Sequence, residues 1–283
     1  MTAERRGTLY LVAAALLYST GGLGIKAVEA PPLTVAGCRA AIGALALAAF
    51  LRPRGWRWTP AFASTVASYA LCVTTFVIAT KWTTAANAVF LQFSGVILIL
   101  LLAPRVLGEP RGPRDLVAIG VALAGLCLLL FSKLEPPGPG DGVALLSALA
   151  YAALMLLLRR ERGVSADAAV TVGNAVAAAV LLPLVVATTG LELSLRSAAI
   201  LGWLGVVQIG AAAALLTRGL RSVAAAPAAL IGMLEPVANP VWVLLALGEV
   251  PSAASIVGGL MVVAAVAWRT AATPVTTQVL PPD

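Results

Sequence analysis

Apolar runs about twenty residues long recur along the whole chain, separated by short connections that hold most of the charge. Breaking the chain at charges, Pro-Pro pairs and loop-like clusters gives ten segments, at 8–27, 33–51, 60–80, 85–103, 115–132, 142–158, 167–189, 197–217, 224–247 and 252–269. A helix needs about 20 apolar residues to cross the hydrocarbon core of a bilayer. The segments lack the strict alternation of barrel strands, so the pattern predicts ten transmembrane helices. Eight carry no charge in their interior; the second contains Arg39, the ninth contains Glu235, and Lys26 ends the first. The connections leave no room for a separate soluble domain. Arg5 and Arg6 before the first run also fit a secretory signal peptide ending near Ala30. Removing it would leave nine spans and break the repeat described below, so the run is read as a span.

Composition points the same way. Hydrophobic residues make up 60% and charged residues 11%, with a mean hydropathy of +0.98. Soluble domains hold about 25% charge and 45–50% apolar residues, so this chain lacks the polar surface to cover an aqueous globule. The sequence has no His, which removes imidazole metal sites, His proton relays and Ser-His or Cys-His pairs. Cys38, Cys72 and Cys127 are scattered through apolar runs without CxxC spacing, and read as small packing residues.

The net charge of +7 is distributed as membrane topology, not as a nucleic-acid footprint. With the N-terminus inside, the inner connections receive Arg5, Arg6, Arg52, Arg54, Arg57, Arg105, Arg111, Arg114, Arg159, Arg160, Arg162, Arg218, Arg221 and Arg269. The outer ones receive Lys26, Lys81, Lys133 and Arg196. This asymmetry predicts a multi-pass protein of the inner (plasma) membrane with both termini cytoplasmic.

The halves of the chain resemble each other. Leu107-Gly108-Glu109 recurs as Leu247-Gly248-Glu249, and Ala85, Ala86 and Ala88 match Ala225, Ala226 and Ala228 at the same spacing. Thr34-Val35 matches Thr171-Val172, Gly7 matches Gly140 and Tyr18 matches Tyr151. The spacing drifts in one direction, as small insertions require. Five spans per half is an odd number, so the second half enters the membrane from the opposite side. The expected fold is an all-α polytopic protein with a 5+5 inverted-topology repeat, built of residues 1–136 and 137–272 with a tail at 273–283. Secondary transporters share this architecture and hold their substrate near the midplane between repeats.

Leu234-Glu235-Pro236-Val237 followed by Leu247-Gly248-Glu249, and Arg39 within Thr34-Val35-Ala36-Gly37-Cys38-Arg39-Ala40, resemble the EamA-type members of the drug/metabolite transporter superfamily. The resemblance covers nearly the whole chain. It implies a transporter of small metabolites, most like the amino-acid exporters. Phe93-Ser94-Gly95-Val96 stands where that family often has a proline-containing turn, which leaves a kink there without its usual cause.

Polar groups inside the spans supply the candidate substrate-binding residues: Tyr18, Arg39, Tyr69, Asn87, Tyr151, Asn174, Trp203, Gln208, Glu235 and Asn239. Glu235 is the one acid at the centre of a span, and such a group is a functional candidate by default. Gly232, Glu235, Asn239 and Trp242 share one helical stripe. Glu235 either contacts a substrate amine or exchanges a proton, or it is a paired or protonated carboxyl bracing the kink at Pro236. Arg39 either binds a substrate carboxylate, pairs with an acid or reaches for the surface. Tyr18 and Tyr151 are repeat-related and fit opposite walls of one cavity; Tyr69 and Trp203 are further aromatic candidates. Asn87 and Gln92 lie about 140° apart around a helix, so one cavity should not take both. The other amides equally fit helix–helix hydrogen bonding.

Gly21-Gly22-Leu23-Gly24 lacks the ending of a phosphate-binding loop. No cofactor, metal, nucleic acid or enzymatic activity is expected. The partners are the lipid bilayer and a small-molecule substrate, with proton coupling open. The alternatives are transport of a drug-like or nucleotide-sugar-like solute, or a membrane protein that transports nothing.

Overall fold

The computed structural model describes residues 2–109, 112–131, 138–161, 163–247 and 252–271. Gly248 and Glu249 of the second Leu-Gly-Glu, Arg111, Lys133, Arg162, the junction at 136–137 and the tail at 273–283 lie outside the described residues. Every element among the described residues is helical. The first half holds α1 (Ala3–Tyr18), α2 (Gly21–Ala27), α3 (Pro32–Leu51), α4 (Pro60–Trp82), α5 (Ala85–Phe93), α6 (Gly95–Leu107) and α7 (Pro113–Phe131). The second holds α8 (Pro139–Glu161), α9 (Gly163–Thr188), α10 (Leu195–Trp203), a π-helical stretch (Leu204–Ala211), α11 (Ala212–Leu220), α12 (Ala225–Gly232), α13 (Leu234–Leu247) and α14 (Ala253–Ala271).

These helices fill the ten expected places. Eight stretches are long and apolar enough to cross a membrane unaided; α7 and the interrupted α12–α13 pair take the fifth and ninth places. Their starts follow local chemistry. Thr59 and Thr84 cap α4 and α5 by accepting from Phe62 N and Asn87 N, and proline opens α3 and α4.

Four spans are not continuous helices. The first breaks at Ser19-Thr20, the fourth at Ser94, the ninth at Met233, and the eighth winds as a π-helix over Leu204–Ala211. The fourth and ninth are repeat-related and break at matching places, so the interruption belongs to the repeat. At Ser94 no proline is needed. Ser94 Oγ bonds back to Leu91 O at 2.6 Å, and a Cβ on Gly95 would meet Ala148 O at 2.5 Å. Close approach of α8 to that backbone therefore takes the place of the proline.

The packing has a pseudo-two-fold pattern. The second span lies on the seventh (α3 on α9) and the fifth on the tenth (α7 on α14). The third lies on the sixth (α4 on α8), and the eighth lies on the first (α11 on α1), which is the symmetric pairing. Lipid tails are as apolar as Leu, so close packing of small residues must hold such a bundle together. The buried positions are accordingly rich in Ala, while Leu45, Leu149, Val180, Val186 and Leu260 point outward.

Helix ends gather on two faces. The face that carries the start of α1 and the end of α14, here the termini face, holds three ion pairs: Glu109–Arg159, Asp167–Arg221 and Asp115–Arg269. On the opposite face Lys26 donates to Thr83 O at 2.7 Å and Lys81 to Val28 O at 2.6 Å.

Candidate functional site

A cavity of about 80 Å³ lies between the halves, lined by Tyr18, Arg39, Tyr69, Cys72, Val73, Phe76, Gln92, Tyr151, Leu154, Met155, Gln208, Ile209, Leu216 and Glu235. Tyr69 and Tyr151 stand about halfway along α4 and α8, so the cavity is near the membrane midplane. Six of the ten predicted residues line it: Tyr18, Arg39, Tyr69, Tyr151, Gln208 and Glu235.

Gln208 organises the cationic wall. It sits in the π-helical stretch, a winding that occurs mostly at functional sites. Its Oε1 accepts from Arg39 Nη2 at 2.6 Å and from Arg39 Nε at 3.0 Å. Its Nε2 donates to Tyr18 O at 3.3 Å, a carbonyl that the end of α1 leaves over. A Cβ on Gly21 would stand 2.6 Å from that Nε2, so glycine there lets the amide approach the broken first span. Arg39 is only 3% exposed, and Gln208, a neutral group, is its hydrogen-bond partner among the described residues.

Glu235 stands in the first turn of α13, just past the break at Met233. It has no hydrogen-bond or ion-pair partner among the described residues, and it lines the same cavity as Arg39. The expected stripe is therefore split by the break. Gly232 lies under the Tyr151 hydroxyl, with Oη 3.2 Å from where a Cβ would be. Trp242 leaves the cavity and donates from Nε1 to Ser19 Oγ at 2.6 Å.

Asn87, Trp203 and Asn174 are not on the cavity wall. Asn87 is at the start of α5, where its Nδ2 donates to Asp141 Oδ1 at 3.3 Å near the opposite face. Trp203 is 52% exposed on the outside of the bundle, with Nε1 donating to Thr20 Oγ1 at 3.3 Å. Asn174 is buried on α9 and donates to Val170 O at 3.0 Å. Asn174 Oδ1 and Tyr69 Oη are both buried without a hydrogen-bond partner among the described residues, and the Tyr69 ring packs on Gly173 beside Asn174. The Asn239 side chain lies outside the described residues.

Gln92, not Asn87, is the cavity amide of the fourth span. It donates to Ser147 Oγ at 2.8 Å. Of the two amides, which lie about 140° apart around the helix, Gln92 lines this cavity and Asn87 does not. The apolar wall of Val73, Phe76, Leu154 and Met155 carried no sequence signal, since such residues fill every span. Phe93 supports Tyr151 from behind, with ring centroids 5.8 Å apart.

The sequence profile of the EamA-like transporter family matches residues 5–131 and again residues 138–270. The chain belongs to the EamA-like transporter family. It is a multi-pass membrane protein and a transporter of small solutes, built of two EamA repeats in a five-plus-five arrangement. A crystal structure among the solved proteins has the same fold, with a TM-score of 0.76 and 22% identity over 93% of this chain and 98% of the other. No curated protein sequence matches this chain.

Proposed function

We propose that this EamA transporter is an inner-membrane exporter of amino acids, working by alternating access through the central cavity, with both termini cytoplasmic. One observation carries the reading: Arg39 is buried with a neutral partner, and an unpartnered Glu235 faces the same cavity. A buried charge without a counter-charge costs several kcal/mol. A zwitterion answers both ends at once, with its carboxylate on Arg39 and its ammonium on Glu235, and the cavity gains no net charge. The apolar wall then receives an aliphatic or aromatic side chain. Tyr18 and Tyr151, from repeat-related spans, flank the bound solute. A single deep arginine is too little basic lining for a sugar diphosphate.

About 80 Å³ holds a handful of waters. The bundle must therefore widen to accept an amino acid, as rocking of one repeat against the other allows. Glu235 also offers a place for a coupled proton. Uptake into liposomes containing the purified protein, screened over the amino acids with and without a pH gradient, tests the reading. Saturable uptake of aliphatic or aromatic amino acids supports it. Uptake of none of them would refute it.

A further inference from the structure

The central cavity makes no use of the first Leu-Gly-Glu. Glu109 lies just past α6, and its carboxylate reaches into the other half. Its Oε1 accepts from Arg159 Nε at 2.6 Å, at the end of α8, and its Oε2 accepts from Ala225 N at 2.9 Å, at the start of α12. Arg159 Nη1 in turn donates to Leu220 O at 2.5 Å, the last residue of α11. One carboxylate of the first repeat thus ties together three helix ends of the second. The two side chains are 16% and 11% exposed, so water screens the pair only in part.

The tied ends belong to the spans that wall the cavity. Tyr151 is on α8 and Leu216 on α11, and α12 leads through the break at Met233 to Glu235 on α13. A path from the cavity to the termini face that runs between α8, α11 and α12 would part these ends from Glu109. The inverted repeat shows that part of the arrangement is inherited by both faces. Lys26, 133 residues before Arg159, donates to Thr83 O, 137 residues before Leu220. On the opposite face Thr83 also donates from Oγ1 to Asp141 Oδ1 of the second half at 3.0 Å, while the ion pairs between halves among the described residues, Glu109–Arg159 and Asp115–Arg269, lie on the termini face.

We propose that Glu109 and Arg159 form a gating latch that holds the termini-face ends of α8, α11 and α12 to the first repeat and releases them each time the cavity opens to that side. The proposal rests on the transporter assignment and on alternating access, not on the amino-acid reading. A carboxylate at the start of α12 also complements the helix dipole, so a purely stabilising role must be told apart from gating.

Cys72 lines the cavity and reports access to it. With Cys38→Ala and Cys127→Ala in place it is the single thiol, and its labelling by an impermeant maleimide is measured in sealed vesicles of both orientations. The latch predicts that Glu109→Gln and Arg159→Gln each speed labelling from the termini face by about tenfold, equivalent to 1.4 kcal/mol, and slow it from the opposite face. Glu109→Asp, which keeps the charge but shortens the reach, gives an intermediate shift. If the glutamine variants do not yield folded protein, Glu109→Asp and Arg159→Lys carry the same test. Rates unchanged from parental would overturn the proposal. An equal rise from both faces would also overturn it, because that marks a loosened bundle instead of a directional gate. The readout needs no solute, so it stands apart from the outcome of the amino-acid screen.

Discussion

Replacing Gln208 by Glu puts a carboxylate where Arg39 now meets an amide oxygen. The geometry is already set for it, since Oε1 stands 2.6 Å and 3.0 Å from two guanidinium nitrogens. A hydrogen bond with an ionised donor or acceptor is about twice as strong as a neutral one, and the Arg39–Gln208 contact is already of that kind; a carboxylate adds the attraction of a full counter-charge, about 1–4 kcal/mol at ~4 Å. If Arg39 is the carboxylate site for the solute, the new glutamate takes its place. A solute must then displace an internal ion pair that exceeds the present amide contact by about 1–4 kcal/mol, which raises KM by about fivefold or more. The fold should not suffer, because a buried charge gains a partner. Initial uptake rates across a concentration series give KM, and melting of the detergent-solubilised protein gives stability. The reasoning predicts loss of affinity at equal or higher Tm. Unchanged KM with a raised Tm would show that Arg39 is a packing residue.

Three other outcomes follow from the site. Glu235→Gln keeps the shape of the side chain but removes its charge; it should cut transport and abolish its response to a pH gradient at normal protein yield, and a parental pH profile would end the charge-based role. Tyr18→Ala and Tyr151→Ala should each weaken transport, with Tyr151→Ala also losing about 1 kcal/mol of ring contact with Phe93, which melting measures; parental uptake by both would dismiss the paired walls. For orientation, Gly142→Cys and Glu192→Cys in a cysteine-free background should react with an impermeant reagent from outside intact cells, and Arg54→Cys should not. Gly142 has open space around its Cα, whereas a side chain at Gly140 would strike Thr83 N at 2.7 Å.

The spans were legible because hydrocarbon tolerates few charges, so each connection announces itself. For the same reason Arg39 and Glu235 stood out, and the inverted repeat tied Tyr18 to Tyr151. The breaks within spans were much harder to see. The first, fourth, eighth and ninth spans are apolar on both sides of their interruptions, and a π-helical stretch such as Leu204–Ala211 has no composition of its own. Asn87 and Gln92 show the limit of face arithmetic. Their angular separation excludes one of them, but the break at Ser94 and the approach of α8 decide that Gln92 points inward. Trp203 faces outward because a bulky aromatic is as comfortable against lipid as in a cavity wall. The Glu109 tie joins residues 50 and 116 positions apart, a proximity that only the folded bundle creates.

The central claim is that one solute bridges Arg39 and Glu235. Competition in proteoliposomes tests it directly, using an amino acid that the protein transports, its methyl ester and its deaminated acid. The ester lacks the carboxylate for Arg39 and the acid lacks the ammonium for Glu235. The account predicts that the parent amino acid competes fully, while each analogue competes at least tenfold more weakly. Equal competition by the ester or by the acid would contradict it.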